Sequence, residues 1–271
     1  MTQLEPIPYT DRDTALTGWL ARPSGTPRAA VLVFPTIANV TPATERRARM
    51  LADAGYLAMI ADFYGEPVPS FDAARPLAEA LRADVDHYRT RLAAALTTLR
   101  GHDAAQGLPL AAIGFCMGGQ AVLELARAGA DLALVASFHG LLDTQRPAAA
   151  PITPRILICH GDADPMAPRE AVMAFWQEMD GVGADWHFHA YSGVKHGFTD
   201  PESDARGLPA IAYNASADRQ SWAALMQMLD EDRVQDLVGI CRTALTVAGL
   251  KSIGAGLVIF DEFGILNNVT K

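Results

Sequence analysis

Apolar positions along this chain follow two rhythms. Residues 29–34 form a continuous apolar run, as in a strand buried on both faces, and residues 57–61, 108–115, 132–138, 155–159 and 186–191 also read as strands. Residues 4–9 and 15–21 read as two further short strands around the turn-like Thr10-Asp11-Arg12-Asp13. Between these segments the spacing becomes helical. Residues 44–54 form one such segment, ended by Gly55. Leu77, Leu81, Val85, Tyr88, Leu92, Leu96 and Leu99 predict a single helix running up to Gly101. Residues 120–128 predict another. Val172, Phe175, Trp176 and Met179 make an apolar helix face opened by Pro168. Residues 216–230 predict a last amphipathic helix, with Trp222, Leu225, Met226 and Leu229 inward. Strands alternating with helices predict an α/β fold with a mostly parallel central sheet and helices on both faces.

The pattern stops near residue 230, so residues 1–230 are expected to form one domain and 231–271 a C-terminal extension. That extension is apolar and rich in glycine. It reads as an oligomer-forming tail, a membrane-surface tail or an irregular segment without function.

Composition narrows the class. With 271 residues, 50% hydrophobic and 20% charged, the chain can build one large soluble core. A net charge of −9 argues against nucleic acid or an anionic membrane as main partner. The longest apolar stretch, residues 243–260, is interrupted by Lys251, so no membrane span is expected. Three cysteines form no disulfide framework, and the N-terminus lacks the features of a signal peptide, so a reducing cytoplasm is the expected setting. No metal-ligand spacing occurs, and no metal or cofactor is expected. The expected oligomeric state is a monomer or small homo-oligomer.

The candidate chemistry centres on Gly114-Phe115-Cys116-Met117-Gly118-Gly119, between a predicted strand and a predicted helix. Cysteine at the apex of a strand–turn–helix is pushed into the open, beneath a helix N-terminus that favours a thiolate. A nucleophilic thiol needs a base, and the base an orienter. Asp164 follows one later strand and His196 the next, so both lie at the same sheet edge as Cys116. Asp162 is the rival for the orienting role. His139 reads equally as a pocket residue or a structural one, His160 as a brace for the acid loop. Tyr64, Phe63, Phe138 and Phe198 lie near strand ends on this edge and are candidate pocket walls or core.

These stretches, with Val31-Leu32-Val33-Phe34-Pro35, Ala61-Asp62-Phe63-Tyr64-Gly65, Phe138-His139-Gly140 and His196-Gly197-Phe198, resemble the dienelactone hydrolase family over roughly residues 5–230. The resemblance implies an α/β-hydrolase fold and a cysteine hydrolase of small-molecule esters or lactones. It carries the nucleophile onto Cys116, the acid onto Asp164, the base onto His196 and the oxyanion-hole N–H groups onto Ile37 and Met117. Three positions depart from the family pattern. Thr36 stands where a glutamate holds the resting thiol neutral, which implies a resting thiolate here. Glu66 and Asp200 stand where two arginines grip a substrate carboxylate, which implies a neutral or cationic ester in place of an anionic lactone. Other readings of the same residues are a thioesterase or activated-amide hydrolase, a non-enzymatic binding module of the same fold, and a redox-sensing thiol protein.

Overall fold

The computed structural model describes residues 2–247 together with Val258–Ile259 and Asn267–Asn268, and side chains through Glu231. Its main unit, Met1–Leu229, is built on an eight-stranded sheet. The strands are β1 (Leu4–Asp11), β2 (Thr14–Ala21), β3 (Ala30–Phe34), β4 (Leu57–Ile60), β5 (Leu110–Phe115), β6 (Leu134–Phe138), β7 (Arg155–Gly161) and β8 (Trp186–Tyr191). Their order is β1-β2-β4-β3-β5-β6-β7-β8. β2 pairs antiparallel with both neighbours and the rest of the sheet is parallel.

Alternate side chains of the central strands feed two cores. Leu32, Phe34, Leu57, Met59 and Val135 point to one face, which is covered by α2 (Phe71–Ala83), α3 (Val85–Gly101), α4 (Met117–Arg127) and α5 (Arg169–Gly181). Val31, Val33, Ala58, Ile60, Leu134 and Ala136 point to the other, covered by α1 (Pro42–Asp53) and the start of α6 (Ala215–Val247). Every residue of β3, β4, β5 and β6 is buried, which is why these strands read as unbroken apolar runs and not as alternating ones.

Two elements differ from the sequence expectation. The helix expected through Leu77–Leu99 is two helices, α2 and α3. Asp84 leaves helical geometry at φ −112° and ψ 99°, and its carboxylate accepts from the N–H groups of Asp86 and His87. The apolar rhythm stays in phase across this break and hides it. The last helix runs on to Val247 instead of ending at Asp230. Asp230–Lys271 forms a second unit, in which Val258–Ile259 pairs antiparallel with Asn267–Asn268. The readings offered for the extension as an oligomer-forming or membrane-surface tail fall on residues whose side chains lie outside the described set. Among the described residues, no helix is long and apolar enough to cross a membrane.

Candidate active site

Strand order reverses at β3, with β4 on one side of it and β5 on the other. A crevice opens at the C-terminal ends of strands flanking such a switch. Thr36 and Ile37 follow β3 there, and Cys116 follows β5.

The Cys116 turn is held by backbone packing. Its φ of 57° and ψ of −116° are strained for a residue with a side chain. The strain persists because the chain has no room to relax. A Cβ on Gly114 would lie 1.9 Å from the Gly118 carbonyl oxygen, and one on Gly118 would lie 2.2 Å from that of Phe34. Only glycine lets α4 descend this far onto β5 and β3. Helix α4 starts at Met117, so its N-terminus faces the thiol.

The loops after β7 and β8 supply the other two groups. Asp164 is buried; one carboxylate oxygen accepts from the Met166 N–H at 2.9 Å and the other meets His196 Nδ1 at 2.7 Å. Asp162, the alternative orienter, turns outward in a bidentate pair with Arg169 at 2.9 and 2.7 Å. The second ring nitrogen of His196, Nε2, is buried without a hydrogen-bond partner. A buried unpaired nitrogen is costly in a merely structural histidine.

Electrostatics link His196 to the thiol. Enclosure of Cys116 is the largest influence on it and opposes ionisation, but the His196 charge and hydrogen-bonding capacity, with the N–H groups of Met117 and Ile37, hold its pKa below the ordinary thiol value. Burial acts against a charged His196, yet the Cys116 thiolate and the Asp164 carboxylate push its pKa up to about 10. His196 thus acts on the sulfur through its charge, while its Nε2 has no hydrogen bond of standard geometry. The backbone N–H groups of Met117 and Ile37 both act on the Cys116 sulfur.

These groups border a cavity of about 510 Å³. Its wall includes Thr36, Ile37, Met117, Asp200 and His139, with Phe71, Leu141, Met166, Leu208 and Ile211 as apolar surface. Four other residues proposed from the sequence as substrate contacts are absent from this wall. Glu66 is exposed on the surface away from it. Phe138 stacks on Phe115 at 4.9 Å in the core facing α1 and α6. Phe198 is fully buried, edge-on to His139 and Tyr191. Tyr64 lies behind the crevice: its hydroxyl donates to the Ile37 carbonyl at 3.0 Å and approaches Met117 Sδ at 3.7 Å. Strand-end position suggested Tyr64, Phe138 and Phe198 as walls, and family position suggested Glu66, but alternation sends Phe138 to the far side of the sheet. Phe63 is likewise core, stacked on Phe34 at 5.8 Å.

The charge argument built on Glu66 and Asp200 changes accordingly. Asp200 is ion-paired with Arg206, which lies 4.1 Å over the Phe71 ring. Arg47 is buried against Asp218, Arg82 donates to Gln120 at 2.6 Å, and Arg75 sits 3.9 Å from Asp72. The wall thus carries arginines already engaged by the chain, with Asp200 compensated by Arg206 and Glu79 also among its acids.

Several contributors had no clear sequence signal. Asp62 receives Asn39 Nδ2 at 2.8 Å and the N–H groups of Tyr64 and Gly65, tying the loop after β3 to the loop after β4. Tyr88 donates to the Met117 carbonyl at 3.2 Å. His160 feels the charges of Asp164 and Asp162, but its Nδ1 is unpartnered and its ring packs on Phe188. Cys159 is buried, which raises its pKa. Among the described residues, no cluster of histidine, cysteine or carboxylate groups could hold a metal ion.

Residues 16–232 match the dienelactone hydrolase family. The crystal structure of a dienelactone hydrolase-like promiscuous phosphotriesterase from metagenomic libraries is 33% identical, with a TM-score of 0.79 over 85% of this chain and 98% of that one. A probable 2-oxo-3-(5-oxofuran-2-ylidene)propanoate lactonase of a Bradyrhizobium species is 29% identical over 75% of this chain and 84% of that protein. An uncharacterized protein of Caenorhabditis elegans is 36% identical over 53% of this chain and 92% of its own length.

Proposed function

The chain belongs to the dienelactone hydrolase family, and from that premise we propose that it hydrolyses neutral carboxylic esters or lactones through Cys116, His196 and Asp164. The observation that carries this reading is the orientation of His196: Nδ1 is held by Asp164 at 2.7 Å, while Nε2 is buried and unpaired beside the thiol. Cys116 rests as a thiolate paired with the His196 imidazolium. Thr36 offers no acid that could reprotonate it.

The thiolate attacks the carbonyl carbon, forming the S–C bond and moving the π electrons onto oxygen. The Met117 and Ile37 N–H groups stabilise that oxyanion; a donor of this kind is typically worth about 2.7–4 kcal/mol. Collapse breaks the C–O bond, and His196 Nε2–H protonates the departing alkoxide. Neutral His196 then takes a proton from water as it attacks the thioester. The acid leaves, and the thiolate–imidazolium pair returns. Asp164 holds the tautomer and balances the imidazolium charge.

Support for a neutral substrate comes from the apolar wall and from arginines tied to chain partners. The same thiolate facing an apolar cavity also suits a neutral phosphotriester, the substrate class named for the metagenomic relative. A resting thiolate is oxidisable, which favours a reducing cytoplasm.

The test is hydrolysis of short aryl esters, lactones and phosphotriesters by wild type and Cys116→Ala. Turnover of neutral esters or lactones that vanishes in the variant is expected; full activity in Cys116→Ala, or none in wild type, rejects the reading. Alkylation against pH tests the resting state. The Cys116 pKa is lowered, so the rate should rise below the free-thiol value of ~8.5 and hold until His196 deprotonates near 10. A midpoint at the free-thiol value removes the ion pair.

A further inference from the structure

His139 follows β6 with a φ of +41°, a left-handed backbone uncommon for a residue with a side chain. It is 2% exposed and borders the reacting cavity. Its two ring nitrogens reach the two halves of the site. Nδ1 lies 3.2 Å from the Cys116 backbone nitrogen, whose N–H is shared with the Phe138 carbonyl at 3.0 Å. Nε2 lies 2.9 Å from the Thr199 hydroxyl. A backbone N–H only donates, so Nδ1 is the acceptor and Nε2 carries the proton. Thr199 is three residues beyond His196, in the loop that delivers the base. Its carbonyl is pinned by Arg46 at 3.0 Å and Arg47 at 3.1 Å, so the hydroxyl end of this link is anchored to α1.

We propose that His139 is a positioning residue that ties the Cys116 turn to the His196 loop and sets the geometry of the thiolate against its base. The assignment rests on the roles proposed above for Cys116 and His196. The ring stands edge-on to His196, centroids 5.1 Å apart, so a second imidazolium there would oppose the first. The groups facing His139 are His196, Arg47, Arg206 and Cys116. Burial, then the charge of His196, holds the His139 pKa well below the usual value, and the ring acts as a neutral bridge. Its work is to keep a strained turn and the His196 loop in one register, because small displacements of reacting groups carry large kinetic penalties.

The experiment compares His139→Gln, Thr199→Val and Thr199→Ser with wild type. Three quantities are read: the pH profile of iodoacetamide alkylation, followed by mass at the Cys116 peptide; kcat and KM on an aryl ester; and thermal midpoint. In His139→Gln and Thr199→Val the alkylation midpoint should move toward that of a free thiol. Their kcat should fall about tenfold, with KM changing much less. Thr199→Ser, which keeps the hydroxyl, should recover the wild-type profile. An unchanged alkylation profile and kcat in folded Thr199→Val overturn the proposal, whether or not His139→Gln folds. Alkylation needs no ester, so a wild type that titrates as described but hydrolyses nothing rejects the proposed reaction while still deciding the role of His139.

Discussion

The floor and the roof of the cavity are built on different principles. The floor is backbone. Cys116, Met117 and Ile37 sit on turns after β5 and β3, fixed by glycines that admit no Cβ and by strands buried on both faces. The roof is side chains on peripheral elements. One face of α2 brings Phe71, Arg75, Glu79 and Arg82, and the loop before α6 brings Asp200, Arg206, Leu208 and Ile211. Where the two meet, Arg206 lies over Phe71 while bound to Asp200. Chemistry demands sub-ångström placement and is therefore written into close-packed backbone. Selection among substrates tolerates replacement of surface side chains and is written there.

The sharpest break of that contrast is at the floor. Gly118→Ala drives a methyl into two carbonyl oxygens, Phe34 at 2.2 Å and Pro35 at 2.5 Å. A loss of about 3 kcal/mol or more in stability is expected, with activity abolished, measured by urea denaturation and ester turnover. A variant that stays active would show that the turn has slack. Asp164→Asn keeps the shape but loses the charge and the fixed tautomer; kcat should fall by about 10⁴ with stability less affected. A loss below tenfold would point to another orienter. Tyr64→Phe removes the hydroxyl that holds the Ile37 carbonyl, and with it part of the alignment of the Ile37 N–H proposed as an oxyanion donor. A fall of about tenfold in kcat at constant KM is expected; an equal effect on KM alone would place Tyr64 among substrate contacts after all.

The roof should yield the smallest effect. Asp200→Asn frees the Arg206 guanidinium toward the cavity while leaving the floor untouched. The ratio of kcat/KM for a carboxylate-bearing aryl ester over its neutral analogue should rise several-fold, about 1 kcal/mol of preference for a partly exposed charge. No change in that ratio would remove Arg206 from substrate selection.

Legibility in the sequence follows the same division. Strands β3 to β7 were readable because burial on both faces demands apolar residues in sequence-adjacent positions, as in Val31 to Phe34. The split between α2 and α3 was not, because Leu81, Val85 and Tyr88 keep helical spacing across Asp84; the signal present was an aspartate positioned to cap the N–H groups of Asp86 and His87. Tyr64 and Phe138 show the limit at the site. Phe138 ends β6 and Tyr64 lies four residues beyond β4, yet Tyr64 braces the Ile37 loop from behind and Phe138 stacks on Phe115 across the sheet.

What the sequence determined by itself was the α/β order of elements, the family, and the three candidate residues Cys116, Asp164 and His196. Each belongs to a short local pattern whose physical need — a tight turn, a loop after a strand — is met by neighbours in the chain. What only the tertiary structure decided was which side chains meet across distance. His139 bridges Cys116 to Thr199, Asp200 is neutralised by Arg206, and Asp62 joins two loops through Asn39. Such pairings depend on where separate elements come to rest, and that is set by the packing of both cores at once and not by any one stretch of residues.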